Sequence, residues 1–248
     1  MQSIADAIIV LWGWRRYSAA FVAGAASALA FAPFFAVPVL WLTVPVLVWL
    51  IDGAEAGEGA GFPRRLLPAA AVGWTFGFGF FVAGLWWIGA AFLVEADQFA
   101  VLLPIAVIGL PALLALFWGF AAALARAFWL EGAPRVLVFA IAFAVAEWWR
   151  GHLFTGFPWN AFGYALTPVP VLMQSAAAVG LWGLTLAAFF VFAAPAVFGQ
   201  GRRLDRAGVW VLVAAVVLLA AHVGYGAVRL SGGDDPTVAG VEIGRAHV

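Results

Sequence analysis

Long apolar stretches, separated by short segments with charged residues, proline or glycine, run through most of the sequence. An α-helix needs roughly 20 apolar residues to cross a bilayer, and most of these stretches are long enough. They contain glycine and proline and do not alternate apolar with polar residues, so they favour helices over the strands of a membrane barrel. The pattern predicts an all-α polytopic membrane protein with about seven transmembrane helices, at residues 17–34, 36–51, 69–94, 99–125, 136–150, 169–198 and 207–228.

The composition supports a membrane protein and excludes several kinds of chemistry. Of the 248 residues, 66% are hydrophobic and 10% are charged, whereas soluble domains have about 45–50% apolar and about 25% charged residues. The chain has no cysteine, which excludes disulfides, thiolate metal sites and thiol nucleophiles. The net charge is zero, so nothing electrostatic favours a nucleic-acid partner.

The distribution of arginine predicts the orientation of the helices. All 12 basic residues are arginine. If the N-terminus is cytoplasmic, the predicted cytoplasmic segments contain nine of them and the opposite side contains two, with Arg245 set aside. This bias follows the positive-inside rule and predicts an extracytoplasmic C-terminus. The nine are Arg15, Arg16, Arg64, Arg65, Arg126, Arg135, Arg202, Arg203 and Arg206, and the two are Arg150 and Arg229.

An aromatic segment, FTGFPWNAFGY at residues 154–164, lies between the fifth and sixth predicted spans, on the predicted outer side. Its proline and glycines are unsuited to a continuous helix. Trp and Tyr favour the depth of the lipid headgroups, so the segment could serve as an anchoring belt. Alternatively, it dips back and forms a pocket for an acyl chain or a headgroup. The candidate lipid-binding residues are Glu147, Trp148, Arg150, Phe157, Pro158, Trp159 and Tyr164.

Glu147 and Arg150 also have two possible roles, one functional and one structural. They are three residues apart and share a helix face near the end of the fifth span. Ionisable groups inside a membrane are costly and are usually functional, but the two side chains could equally pair at the interface and only orient the helix end. His152 is too isolated from other ligands to indicate a metal site. We therefore expect neither a metal nor a cofactor.

Two further patterns predict packing rather than chemistry. Gly73 and Gly77 have the GxxxG spacing that allows two helices to approach closely. His222, within the seventh span, is expected to be a core residue whose ring nitrogens have hydrogen-bond partners.

Four motifs stand out in the sequence. The most specific is EWWRG at residues 147–151, followed by TGFPW at 155–159 and GY at 163–164. The others are LAFAPF at 29–34, GFGF at 77–80 with GLWW at 84–87, and GLWGL at 180–184. Together they resemble the membrane half of the bacterial apolipoprotein N-acyltransferase family, over about residues 17–241.

The resemblance implies an enzyme of the bacterial inner membrane. It would move an acyl chain from a phospholipid to the α-amino group of a diacylated lipoprotein, as a monomer and at the periplasmic face. In the family, a nitrilase-like domain carries a Glu–Lys–Cys triad, in which the cysteine forms a thioester. This sequence has neither Cys nor Lys. We therefore expect no catalytic residue in it and no transfer by these 248 residues alone.

The resemblance also suggests a division of the chain. Residues 1–16 would be an N-terminal cytoplasmic segment, 17–229 the seven-helix domain, and 230–241 a linker with the first strand of a truncated nitrilase-like domain. Residues 242–248, EIGRAHV, resemble the translation of a sequencing adapter. Two other functions stay open: a transporter, which would line a path with polar groups, and a non-catalytic scaffold, which would need an exposed interaction segment.

Overall fold

The computed structural model describes residues 2–57, 59, 61–199 and 204–232, and these residues contain helices and no β-strand. The all-α prediction is therefore confirmed for this part of the chain. The long helices are α1 (Gln2–Ile9), α2 (Gly13–Ser27), α3 (Leu40–Asp52), α4 (Phe62–Gly84), α7 (Leu110–Ala127), α8 (Arg135–Arg150), α10 (Ala176–Ala193) and α11 (Arg206–Ser231); the single-turn helices are α5 (Ile88–Ala91), α6 (Ala96–Phe99) and α9 (Pro170–Met173).

Short 3₁₀ or π segments extend or connect these helices. A π segment directly precedes α7 and a 3₁₀ segment directly follows α10, so both helices continue beyond their regular part. The 3₁₀ segments are Ala28–Ala30, Val37–Val39, Ala100–Leu102, Leu153–Thr155, Phe162–Leu166 and Ala194–Phe198, and the π segment is Ile105–Gly109.

Four helical stretches in the described residues are long and apolar enough to cross a membrane. They match the third, fourth, sixth and seventh predicted spans. The second predicted span matches a shorter apolar helix, Val37–Asp52, and the first and fifth match α2 and α8, with 15 and 16 residues. The chain is thus a membrane protein, while the number of spans and their orientation stay predictions. The four stretches are Phe62–Gly84, Ala96–Ala127, Ala176–Phe198 and Arg206–Ser231.

Several helix boundaries differ from the predicted spans. The first span was predicted at residues 17–34, but α2 begins at Gly13 and its 3₁₀ extension ends at Ala30. The third span was predicted to reach residue 94, but α4 ends at Gly84, whose carbonyl accepts a hydrogen bond from the Asn160 side chain. The sixth was predicted to begin at residue 169, but α10 begins at Ala176, and Gly180 interrupts it with φ +65°. Hydropathy does not predict either of the last two features. The contact at Gly84 comes from a residue far along the chain, and the break at Gly180 is a matter of backbone conformation.

Six helices form a closed ring in the order α2, α4, α7, α8, α10 and α3, each packed against the next. Trp118 of α7 is fully buried inside it, with the rings of Phe76 and Phe80 stacked on its indole. Helix α11 lies outside the ring, against α9, α10 and residues 194–198. Only 11% of its most apolar 18-residue stretch is buried, compared with 44% for that of α4, so the other described residues leave most of α11 uncovered.

Glycines allow α4 to approach two neighbours closely. A Cβ atom at Gly73 or Gly77 would overlap Trp118 of α7, and one at Gly79 would overlap the backbone of Phe21 in α2. The predicted role of the Gly73 and Gly77 spacing in close packing is therefore confirmed.

His222 connects α11 to the ring. Its Nε2 lies 2.8 Å from the carbonyl oxygen of Leu166, and its Nδ1 lies 2.9 Å from the Ser175 hydroxyl. Since a carbonyl can only accept, Nε2 donates to Leu166, and the Ser175 hydroxyl also donates to the backbone carbonyl of His222 at 3.3 Å. The prediction of a core histidine with satisfied ring nitrogens is confirmed.

A buried ion pair connects α3 to α8. Oδ2 of Asp52 and Nε of Arg135 are 3.2 Å apart, and both side chains are 2% exposed. Trp129 donates its indole N–H to Oδ1 of Asp52 at 2.8 Å, and Arg135 donates to the carbonyl of Ala196 at 2.8 Å. The Nε and Oδ2 atoms are not aligned for a hydrogen bond with each other, and neither has another hydrogen-bond partner.

Several predictions lie outside the described residues. They concern Arg202 and Arg203, most of the linker after Gly232, the strand expected at residues 237–241, and the string at residues 242–248.

Candidate functional site

The aromatic loop, residues 151–167, follows the C-terminal end of α8 and turns sharply. Its backbone has positive φ at Phe154 (53°), Gly156 (81°) and Asn160 (50°). A Cβ atom at Gly156 would also overlap the carbonyl oxygen of Gly151. Glycine is therefore required at position 156, both for its backbone conformation and for space.

Glu147 and Arg150 form a fully buried ion pair at the base of the loop, with both side chains 0% exposed. Arg150 donates from Nε to Oε1 of Glu147 at 2.6 Å and from Nη2 to Oε2 at 2.8 Å. The same carboxylate accepts the indole N–H of Trp118 at 2.9 Å and the backbone N–H of Phe162 at 3.2 Å. Four donors thus compensate the cost of burying this charge.

Arg150 carries the network into the loop. Its Nη1 donates to the carbonyl oxygens of Phe157 and Trp159, the second at 3.1 Å. The guanidinium also lies over the ring of Phe81, 5.0 Å from its centroid, in a favourable cation–π position. Two carbonyl groups of the loop, which have no partner in a helix, are therefore hydrogen-bonded to a side chain of α8. Backbone groups that are buried away from water need such partners.

A second connection attaches the loop to α4. Asn160 donates its side-chain N–H to the carbonyl of Gly84 at 3.1 Å. Beside it, the ring of Trp159 packs against Trp87 at 4.9 Å and against Phe157 at 4.6 Å. The loop is thus fixed to α8 and α4, and the ring of Trp159 contacts both the turn that follows α4 and the loop itself through tilted ring pairs.

Between α7 and this end of α8 lies an apolar groove with a volume of about 680 Å³. Leu113, Leu116 and Phe154 at its edge are 63%, 57% and 89% exposed, so the groove opens to the outside of the bundle. The stacked rings of Phe120 and Trp149, 5.0 Å apart, form part of its wall. Its lining residues are Leu110, Leu113, Leu114, Leu116, Phe117, Phe120, Trp149, Arg150, Leu153, Phe154, Gly156 and Phe157.

The structure brings some of the predicted site residues together and separates others. Arg150 and Phe157 line the groove, the ring of Trp159 packs at an angle against that of Phe157, and Glu147 is paired with Arg150. Pro158 is half-buried in the same turn, where its carbonyl accepts from Ala161.

Two predicted residues lie apart from the groove. Trp148 stacks on His152 at 4.4 Å and, together with Trp182, lines a separate cleft of about 230 Å³ between α8 and α10. Tyr164 is 44% exposed in the 3₁₀ segment at 162–166, away from the groove.

Sequence reasoning missed three contributors to this site. Trp118 stands in a run of apolar residues, where nothing marks its indole N–H as the partner of a carboxylate. The apolar face of α7 looks like any lipid-facing helix. Asn160 carried a usable signal, because asparagine is enriched at positive φ and its polar side chain is isolated among aromatic residues.

Comparison with known proteins places this site in a family. The family model described as "Apolipoprotein N-acyltransferase N-terminal domain" matches residues 23–194. The chain belongs to the apolipoprotein N-acyltransferase family. The matched residues include α8, the aromatic loop and the whole groove, whereas α11 lies beyond them. The Glu147–Arg150 network therefore belongs to the part of the chain that the family model describes.

Curated relatives support the same assignment. Three proteins named "Apolipoprotein N-acyltransferase" are 57% identical to this chain over 228 residues (Brucella suis), 52% over 230 (Rhizobium etli) and 53% over 231 (Rhodopseudomonas palustris). These alignments cover 92–93% of this chain but only 42% of each apolipoprotein N-acyltransferase.

Proposed function

We propose that this chain is the membrane part of an enzyme that transfers an acyl chain from a phospholipid to a diacylated lipoprotein, and that the groove holds an acyl chain. The observation that carries the proposal is the apolar groove of about 680 Å³, open to the outside of the bundle and bounded by the aromatic loop. The names of the relatives support transfer of an acyl group to an apolipoprotein, and the phospholipid donor is part of the proposal. In this proposal the contribution of these 248 residues, which include neither Cys nor Lys, is to hold lipid.

An acyl chain suits this groove for physical reasons. Leucine and phenylalanine form most of its lining, and burying a methylene group contributes about 0.8 kcal/mol relative to water. In a bilayer the chain leaves other lipid rather than water, so shape decides the preference more than hydrophobicity does. The rings of Phe120 and Trp149 form a fixed wall against which an extended chain can pack.

The predicted site residues take different roles in this proposal. Phe157 contacts the lipid as part of the wall. Glu147 and Arg150 act as positioning residues, because their charged groups are buried and bind the loop. Trp148, Trp159 and Tyr164 occupy the depth of the headgroups, where tryptophan and tyrosine are favoured, and Pro158 shapes the turn between them.

We also infer that seven helices cross the inner membrane, with the aromatic loop on the periplasmic side. Helices α2, α3 and α8 belong to the same ring as the long spans, which supports counting them as spans. Arg16, Arg126 and Arg135 all bond to residues 52–55 or their neighbours, at the end of the bundle opposite the loop. An arginine-rich end favours the cytoplasm.

A chimaera tests the proposed activity. In it, this chain replaces the matching 228 residues of the Brucella suis relative, and the purified protein receives phospholipid and a diacylated lipopeptide. We expect the chimaera to transfer the acyl chain. An inactive chimaera that is inserted and folded would contradict the proposal.

A groove-filling substitution tests the acyl-chain site in the same chimaera. We expect Leu116→Trp, on the exposed edge of the groove, to lower the transfer rate about tenfold, equivalent to about 1.4 kcal/mol. The matched control is Leu42→Trp, at a leucine of α3 that is 68% exposed and does not line the groove. Equal rates in the two variants would refute the acyl-chain site and leave the overall activity standing.

A further inference from the structure

Helix α1 lies at the end of the bundle opposite the aromatic loop, and the proposed acyl transfer gives it no role. It contacts the end of α3 and residues 194–198, which follow α10. Since α10 and α3 are neighbours in the ring, α1 crosses the end of the ring instead of extending one of its helices. The family model begins at residue 23, so α1 precedes the part of the chain that this model describes.

One face of α1 is packed firmly against the bundle. Ala5 is fully buried, and Ile8 and Ile9 pack against the hydrophobic core. A Cβ atom at Gly53, just after α3, would overlap the carbonyl oxygen of Ile9. The helix therefore has a fixed position at the end of α3.

The turn between α1 and α2 is also held in place. Gly13 has φ +56°, a backbone conformation that favours glycine, and α2 begins there. Arg16 of α2 donates from Nε to the carbonyl of Leu11 at 2.8 Å and from Nη2 to the carbonyl of Gly53. One side chain thus connects the turn, the start of α2 and the end of α3.

The two flanks of α1 beside the packed face differ in polarity. Ile4 is 58% exposed on one flank, and Asp6 is exposed on the other. Two residues along an α-helix lie about 160° apart around its axis, so these two side chains point in nearly opposite directions. An apolar flank and a charged flank are typical of a helix at a boundary between lipid and water.

The exposed apolar surface continues from α1 onto α2. Trp12 and Trp14, after the end of α1, are 79% and 73% exposed. Trp14, Tyr17 and Phe21 are three and four residues apart on α2, so they share one face, and all three are exposed. The surface beside α1 is therefore continuous with the outer side of a helix of the ring.

The depth of α1 follows from its neighbours. Helix α4, which is long and apolar enough to cross a membrane, begins at Phe62. Phe62 and Asp52, the last residue of α3, line the same cavity, so α4 starts at the level where α1 packs. Tryptophan favours the depth of the lipid headgroups. The exposed guanidinium of Arg15 lies 5.9 Å from the centroid of the Trp14 ring, and arginine forms charge-assisted hydrogen bonds with phosphate.

We propose that α1 lies parallel to the membrane surface in the headgroup region, and that lipid covers its exposed apolar flank. Ile4, Trp12 and Trp14 face the boundary between headgroups and acyl chains, Asp6 faces water, and Arg15 contacts a lipid phosphate. The proposal does not depend on acyl transfer or on the acyl groove, which lies at the other end of the bundle.

Spin labels on single cysteines test the placement of α1, because the chain has no cysteine of its own. The variants Ile4→Cys and Asp6→Cys are labelled in phosphatidylcholine nanodiscs, and collisions with oxygen and with a water-soluble nickel chelate are measured. We expect the ratio of oxygen to nickel collisions to be at least about threefold higher at position 4, because that position faces lipid. Val217→Cys in α11 and Asp97→Cys, both at exposed residues, calibrate the lipid and water limits.

Two outcomes of this measurement would overturn the proposal. Equal ratios at positions 4 and 6 would mean that water surrounds both flanks of α1. Few collisions with either reagent at position 4 would mean that protein, from the same chain or from a second copy, covers the flank in place of lipid.

A second pair of variants tests whether the two tryptophans hold α1 at this depth. With the label at position 4, the double change Trp12→Ser and Trp14→Ser should lower the ratio of oxygen to nickel collisions towards that at position 6. The matched control is Trp86→Ser, at a tryptophan that is 64% exposed and follows α4. An unchanged ratio in the double variant would refute the assignment of these tryptophans to the lipid interface.

Discussion

Two buried ion pairs lie at opposite ends of this helical bundle, and they are built differently. In the Glu147–Arg150 pair the two residues are one helical turn apart on α8, and the carboxylate accepts four hydrogen bonds. In the Asp52–Arg135 pair the residues belong to different helices, and the facing atoms, 3.2 Å apart, are not aligned for a hydrogen bond. Burial is almost equal, so the difference lies in how fully each charge is hydrogen-bonded.

The comparison shows what each pair does. The Asp52–Arg135 pair connects α3, α8 and residues 194–198. These segments are α-helical or 3₁₀-helical, so most of their backbone groups have partners within the helix. The Glu147–Arg150 pair supplies partners for irregular backbone, namely the N–H of Phe162 and the carbonyls of Phe157 and Trp159. A buried ion pair does not by itself stabilise a protein. The Glu147–Arg150 pair instead restrains the backbone of the aromatic loop, which is not held by the hydrogen bonds of a regular helix.

The largest expected effect comes from Glu147→Ala. It leaves the Arg150 guanidinium buried without an anion, which costs about 3–5 kcal/mol. It should also release the loop, because Arg150 loses its fixed position. Equilibrium unfolding in mixed micelles measures the first effect, and the rate of proteolysis within residues 154–164 measures the second. Glu95→Ala, at an exposed glutamate, should change stability by less than about 0.5 kcal/mol. An unchanged cleavage rate in Glu147→Ala would refute the link between the pair and the loop.

A smaller effect is expected from Asp52→Asn at the other pair. The amide oxygen still accepts from Trp129, and Arg135 keeps its bonds to the carbonyls of Gly132 and Ala196. The hydrogen bond from Trp129 then changes from a bond to a charged acceptor, which contributes about 1.5–3 kcal/mol, to a weaker bond with a neutral one, and Arg135 loses the negative charge that faces it. Stability should therefore fall, while proteolysis of the aromatic loop stays at the unaltered rate. Faster cleavage of the loop would mean that the two ends of the bundle are coupled.

The smallest effect is expected from Asn160→Ala, which removes the hydrogen bond to Gly84 and leaves the ion pair intact. A neutral hydrogen bond contributes about 1 kcal/mol. Cleavage of the loop should accelerate about fivefold, with a loss of stability of about 1 kcal/mol. Gln98→Ala, at an exposed amide in α6, serves as the control. A loop cleaved as fast as in Glu147→Ala would assign the main restraint to Asn160 instead.

The helical class could be predicted because apolar run length alone determines it. The GxxxG spacing of Gly73 and Gly77 likewise indicated a close approach that the structure contains. Hydropathy could not show that α4 ends at Gly84, because the partner of that carbonyl is a side chain 76 residues away. The role of Trp118 could not be predicted for the same reason. Its indole N–H meets the Glu147 carboxylate only through tertiary packing, and the sequence around Trp118 is uniformly apolar.

For the candidate site, the sequence identified the right segment and part of its geometry. The spacing of Glu147 and Arg150 predicted a shared face, and the structure pairs them. The groove could not be predicted, because its far wall is the apolar face of α7, whose composition resembles that of a helix in contact with lipid. Whether the groove and the predicted residues bind lipid stays a prediction until the proposed variants are measured.

The acceptors that Arg150 uses in the loop are backbone carbonyls, and this has a consequence for how the family can vary. A carbonyl is present whatever side chain the residue carries, so the restraint on the loop does not depend on the residue types at positions 157 and 159. The ring that forms the groove wall can therefore change in size while the path of the backbone is kept. A substitution at position 157 that reshapes the groove therefore leaves the hydrogen bonds from Arg150 to the loop in place.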